Sequence, residues 1–140
     1  MRIDVEMPPN ETDRQRLVDA LLEHSGRRYG DPAARPLGLF LRDGEGKLCG
    51  GITGNLRWSW LYVEMLWVRS DLRGQGYGSR LLAGAEGLAE ASGGVAVHLD
   101  TDGDETLAFY QRRGYEVFGT LEGFPPGTRQ HFLRKWLRAP

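Results

Sequence analysis

Three glycines at alternate positions, Gly74, Gly76 and Gly78, follow an apolar run that ends at Trp67-Val68 and lead into an amphipathic run that begins at Gly76. Glycine lets the main chain approach a ligand and turn its N–H groups inward, and the first turn of a helix leaves N–H groups without intrahelical partners. A strand, a glycine loop and a helix start in that order can cradle a phosphate, aided by the positive end of the helix dipole. A dinucleotide fingerprint would place glycine at 79, where Ser79 stands, and a P-loop would close on Gly-Lys-Ser/Thr, which is absent. The remaining alternative is a glycine-rich connection with no ligand.

Arg73-Gly74-Gln75-Gly76-Tyr77-Gly78 fits the pattern Gln/Arg-x-x-Gly-x-Gly/Ala, and on that motif the chain resembles the GNAT N-acetyltransferases. The resemblance implies that Arg73, Gly74, Gln75, Gly76, Tyr77, Gly78 and Ser79 grip the pyrophosphate of acetyl-CoA. It also implies that the strand residues Leu66, Trp67 and Val68 pair with the pantetheine arm. A second segment, Leu107 to Tyr115, resembles the family's A-x-x-x-Tyr-x-x-x-Gly-Phe/Tyr stretch. From it comes the expectation that Tyr110 contacts the cofactor and protonates the departing thiolate. The chain departs from the family at Gly103, where many members carry Asn, and at Thr106, where the motif has Ala.

The reaction so implied is attack by a free amine on an acetyl thioester, and most amines are protonated near neutral pH. A proton acceptor is needed, and Glu64, a charge within an otherwise apolar strand, is the expected one. The same carboxylate would equally serve as an ion-pair partner of Arg57 or Arg69, or mark one edge of the strand reaching solvent. By its offset from Arg73, Leu66 is the residue whose backbone N–H the resemblance assigns to the oxyanion. Trp58, Trp60, Tyr62 and Tyr29 are the expected acceptor walls, since aromatic faces and carboxylates attract a cationic amine. His98 and Asp100 share a strand face, with His98 read as structural. No metal-ligand spacing occurs among the histidines and Cys49, so no metal is expected.

Composition narrows the classes. A formal net charge of -1 and a pI near 6.3 supply no positive field for nucleic acid or an anionic membrane. Cys49 is the only cysteine, which excludes an internal disulfide, and its apolar strand context reads as a buried thiol. No run reaches membrane-spanning length and the N-terminus alternates charge, so a cytoplasmic protein is expected.

The elements follow from periodicity. Residues 2 to 7 alternate and predict a half-buried first strand, ended by Pro8-Pro9. Asn10 or Thr12 caps a helix with an apolar stripe at Leu17, Val18, Leu21 and Leu22, ended at Gly26, and a loop follows to Pro36. Strands are expected at 37–42, 47–58 and 60–68, the last covered on both faces. A helix is expected over 76–92 and a strand over 95–101, parallel to 60–68. Asp102 and Glu105 read as a capping box for a helix through Arg113, and strands at 115–121 and 130–137 close the chain. This predicts one domain over 1–140: an α/β mixed sheet of six or seven strands with helices on both faces, the GNAT acyl-CoA N-acyltransferase fold. The expected function is direct transfer of acetyl from acetyl-CoA to a primary amine of a small molecule in a ternary complex. Protein lysine or N-terminal acetylation and a non-catalytic acyl-CoA sensor are the alternatives, and the resemblance admits a homodimer.

Overall fold

The computed structural model describes residues 1–139. Contacts divide the chain into two compact units, Met1–Pro32 and the remainder from Ala33.

The first unit holds helix α1, Glu11–Tyr29, with Asn10 as its N-cap: the Asn10 side chain accepts from the Asp13 N–H at 3.0 Å. The helix runs three residues past Gly26 and stops at Gly30, so the loop expected from Arg27 begins later. No residue of α1 is buried, and Leu17, Leu21 and Leu22 of the stripe are exposed. The first strand expected at 2–7 does not form. Ile3, Val5 and Met7 are almost fully exposed, since alternation makes a strand only when another strand accepts its hydrogen bonds.

The second unit is a six-stranded mixed sheet in the order β1-β2-β3-β4-β6-β5. The strands are β1 Arg35–Arg42, β2 Leu48–Arg57, β3 Trp60–Val68, β4 Ala96–Asp102, β5 Glu116–Glu122 and β6 Arg129–Trp136. Helix α2, Tyr77–Ala91, crosses from β3 to β4, which pair parallel as the crossover demands. Its Leu81, Leu82, Ala85 and Ala89 join Ile52, Leu56, Leu61, Val63, Val97, Leu99 and Leu133 in the core, and Tyr110 and Tyr115 close that core beside helix α3, Asp104–Gln111. Among the described residues, no helix is long and apolar enough to cross a membrane.

Two features of β3 matter for function. It is interior in the sheet, yet only Leu61 and Val63 are buried, while Tyr62, Glu64, Met65 and Trp67 are exposed, which corrects the expectation of cover on both faces. Its register with β2 slips where Thr53 faces Met65 and Gly54 faces Val63, leaving Glu64 in a bulge. The bulge inverts the alternation, so Leu66 and Val68 turn to the core side while Tyr62 and Glu64 share the opposite face. A side chain at 54 would forbid this path, because a Cβ there would lie 2.6 Å from the Tyr62 carbonyl oxygen.

The second feature is a split. β3 and β4 pair only at Trp60–Ala96, Leu61–Val97 and Tyr62–His98, and beyond Tyr62 they part. The Arg69 N–H bonds the Cys49 carbonyl at 2.8 Å, on the β2 side. Backbone N–H groups alternate sides along a strand, so those of Leu66 and Val68 point the other way, into the split.

Asp102 is not the cap of α3. Gly103 is the N-cap, at φ +82°, with no side-chain bond, and the Thr106 hydroxyl donates to the carbonyls of Asp102 and Gly103 instead. The chain needs a left-handed turn there, which glycine makes at least cost.

Candidate active site

A cavity of about 690 Å³ opens where the split meets the glycine loop. From β3 it takes Leu66, Trp67 and Val68, from the loop Arg73, Gly74 and Gly76, from α2 Tyr77, Gly78 and Ser79, and from α3 Phe109 and Tyr110. After Val68 the chain makes a short 3₁₀ turn, Ser70–Leu72, held by the Arg69–Asp71 ion pair at 2.6 Å. The Arg73 guanidinium then turns back, its Nε–H donating to the Val68 carbonyl at 2.8 Å, and fastens the loop to the end of β3.

Gly74 and Gly76 sit at φ +76° and +86°, where an L side chain is strained. Gly78 has an ordinary φ, and its α-carbon faces the Phe109 ring. With Gly76 as N-cap and no side chain capping α2, the N–H groups of Tyr77, Gly78 and Ser79 have no backbone hydrogen bond among the described residues. This is an anion cradle. Of the expected cofactor residues only Gln75 is absent from the lining: its side chain turns away to the Asp71 carbonyl at 3.2 Å.

Tyr110 stands at the inner end, 7% exposed, edge-on to Phe109 at 5.0 Å and to Tyr115 at 5.6 Å. Burial pushes its phenol up to about 12, against the opposing charge of Arg113, so it is protonated at any ordinary pH. Tyr115 is held in turn by Glu86, whose carboxylate accepts from its hydroxyl at 2.7 Å and pairs with Lys135 at 3.0 Å. Arg113 ties the helices together. It donates to the Ser79 hydroxyl at 2.8 Å and to the Phe109 carbonyl at 2.7 Å, with its guanidinium 3.7 Å from the Phe109 ring centre.

A second cavity, of about 460 Å³, is lined by Asn55, Arg57, Trp58, Trp60, Tyr62, Glu64 and His98. Tyr62 and Glu64 face it from the side of β3 opposite the core. Glu64 forms no ion pair among the described residues, because Arg69 is taken by Asp71 and Arg57 lies over the Trp58 ring at 5.3 Å. His98 packs against Tyr62 at 5.0 Å and Trp60 at 5.8 Å, and burial lowers its pKa. Behind them the Tyr62 hydroxyl donates to Asp100 Oδ1 at 2.9 Å, and Gln130 Nε2 donates to Asp100 Oδ2 at 2.8 Å.

The two cavities thus meet β3 from opposite faces, one carrying the cradle and a buried phenol, the other a free carboxylate among aromatic rings. Residues 3–115 match the description of the acetyltransferase (GNAT) family. The chain belongs to the GNAT family. It is an acetyl-CoA-dependent N-acetyltransferase, and its mixed sheet is the GNAT fold. It is 42% identical over 115 residues to a blasticidin-S acetyltransferase of Streptomyces morookaense, covering 79% of this chain and 85% of that one. It is 32% identical over 117 residues to an acetyltransferase of Agrobacterium fabrum, covering 84% and 85%. The crystal structure of an acetyltransferase from Bacillus cereus superposes with a TM-score of 0.90 at 28% identity, over 98% of each chain.

The sequence-predicted residues therefore fall into two groups. Tyr110, Leu66, Trp67, Val68 and the loop line the first cavity; Glu64, Trp58, Trp60 and Tyr62 line the second. Tyr29 ends α1 in the other compact unit, with Arg28 over its ring. Sequence reasoning missed Phe109, Arg113 and Gln130. The spacing of Phe109 and Arg113, four apart across the end of α3, was a usable signal for their contact; Gln130 reaches Asp100 only through strand register and left none.

Proposed function

We propose that this acetyltransferase moves the acetyl group of acetyl-CoA to the primary amine of a small molecule by direct attack, with both substrates bound at once. The observation that carries the reading is the pair of cavities on opposite faces of β3, which lets a thioester and an amine approach one point of the split from two sides. In this reading Arg73, Gly74, Gly76, Tyr77, Gly78 and Ser79 hold the pyrophosphate, and the free edge of Leu66 to Val68 pairs with the pantetheine arm. The Leu66 N–H, directed into the split, donates to the carbonyl oxygen as it gains charge.

The amine nitrogen attacks the acetyl carbon, an N–C bond forms, the C–S bond breaks, and one amine proton passes to Glu64 directly or through water. A phenol near 12 does not surrender its proton fully to a thiolate of basicity near 8.5. Tyr110 therefore acts on the sulfur by hydrogen bonding as the C–S bond breaks; CoA leaves as the thiolate and takes its proton from solvent, to which Glu64 releases the amine proton. Trp58, Trp60 and Tyr62 wall the acceptor, whose ammonium form their faces and Glu64 attract. A cavity of about 460 Å³ suits a small molecule, as does the relative that bears the name of an antibiotic acetyltransferase.

The test is release of free thiol from acetyl-CoA with blasticidin S and a panel of primary amines. Tyr110→Phe and Glu64→Gln are each expected to lower kcat about 10²-fold. Wild-type release that no amine accelerates would overturn the reading.

A further inference from the structure

We infer that Tyr62 is a fixed hydrogen-bond acceptor for the amine, and that with Glu64 it makes the site selective for primary over secondary amines. A phenol has one proton. That of Tyr62 is given to Asp100 Oδ1 at 2.9 Å, so the side of the oxygen turned to the cavity presents lone pairs only. The polarity is locked from behind, because the other Asp100 oxygen accepts from Gln130 at 2.8 Å and the contact of the Tyr62 ring with His98 fixes its plane. Asp100 and Gln130 are positioning residues; neither lines the acceptor cavity.

Tyr62 and Glu64 are two residues apart on one strand face, about 6.6 Å between α-carbons, and both line the acceptor cavity. A neutral primary amine whose lone pair is directed at the thioester has two N–H bonds left, and the two acceptors face them. One proton leaves to Glu64 as the tetrahedral intermediate forms. The other stays on nitrogen, bonded to Tyr62, and becomes the N–H of the product amide. A secondary amine has only the first, so it leaves the Tyr62 oxygen unfilled, or must forgo Glu64 to reach it.

This rests on the amine-acetylation reading above, and the experiment separates the two. The probes are tyramine, benzylamine and butylamine with their N-methyl counterparts, assayed by thiol release with wild type, Tyr62→Phe and Asp100→Ala. Asp100→Ala removes the acceptor of the Tyr62 proton and frees that proton to point into the cavity. Both variants are expected to lower kcat/KM for the primary amine about tenfold more than for its N-methyl partner, the size of one hydrogen bond. A variant that lowers both amines equally, or neither, would overturn the inference while leaving amine acetylation intact. Wild type that acetylates neither the six nor blasticidin S would remove the underlying reading, and the inference with it.

Discussion

Tyr110 illustrates how burial decides a residue's chemistry. The resemblance assigned it the thiolate proton; the structure adds that burial holds that proton tightly, at about 12. The same shift couples to folding. The unfolded phenol titrates near 10, so stability is full below that pH and falls as pH rises toward 12, by on the order of 2.7 kcal/mol for a two-unit shift. Tyr115, raised further by burial and its bond to Glu86, adds to the loss. Urea denaturation at pH 8, 10 and 11 should therefore show stability dropping above pH 10 and a shallower drop in Tyr110→Phe; equal profiles would contradict the burial. At this scale the sequence was legible where a residue's type was out of place. Glu64 stood out as a charge in an apolar strand, and it proves free of Arg57 and Arg69. Asp100 and Gln130 were opaque, because their value lies in a bond between strands 30 residues apart.

Among elements, the glycine loop and α2 were legible because their chemistry is local: two left-handed glycines, a missing cap and an amphipathic stripe. The bulge in β3 was legible in part: Gly50, Gly51 and Gly54 suggest a bulge or a close backbone approach, but which residue it leaves unpaired is a property of the pairing with β2. The bulge is also what turns Leu66 to the core while Tyr62 and Glu64 keep the opposite face. Gly54 sustains it, so Gly54→Ala, with a Cβ 2.6 Å from the Tyr62 carbonyl and 3.0 Å from the Leu61 side chain, should cost about 1–3 kcal/mol. It should also lower acetyl transfer by shifting Tyr62 and Glu64, and a variant of wild-type stability and rate would show that the bulge does not depend on the glycine. Two local patterns failed because tertiary context or backbone conformation overrode them. Residues 2 to 7 and the Asp102–Glu105 pair carry local patterns of a strand and a cap, but no neighbouring strand pairs with the first, and a left-handed turn at Gly103 supersedes the second.

For the whole molecule, the fold's contribution is the split between β3 and β4. Parallel pairing that stops at Tyr62 opens a strand edge toward the cavity at the glycine loop on one face and sets the aromatic-lined cavity on the other. The parallel run of 60–68 and 95–101 was legible from the βαβ unit; the split and the cavities depend on where the pairing ends, which no local pattern encodes. In the proposed function the cradle at the start of α2 holds the anionic part of acetyl-CoA. The direct measurement is a thermal-unfolding titration with acetyl-CoA of wild type and Gly76→Glu, whose carboxylate would sit among the N–H groups of Tyr77 to Ser79. At about 100 times its dissociation constant the ligand should stabilise wild type by roughly 2.7 kcal/mol and the folded variant hardly at all. Equal stabilisation of both would place the cofactor elsewhere, and no stabilisation of wild type would contradict the account.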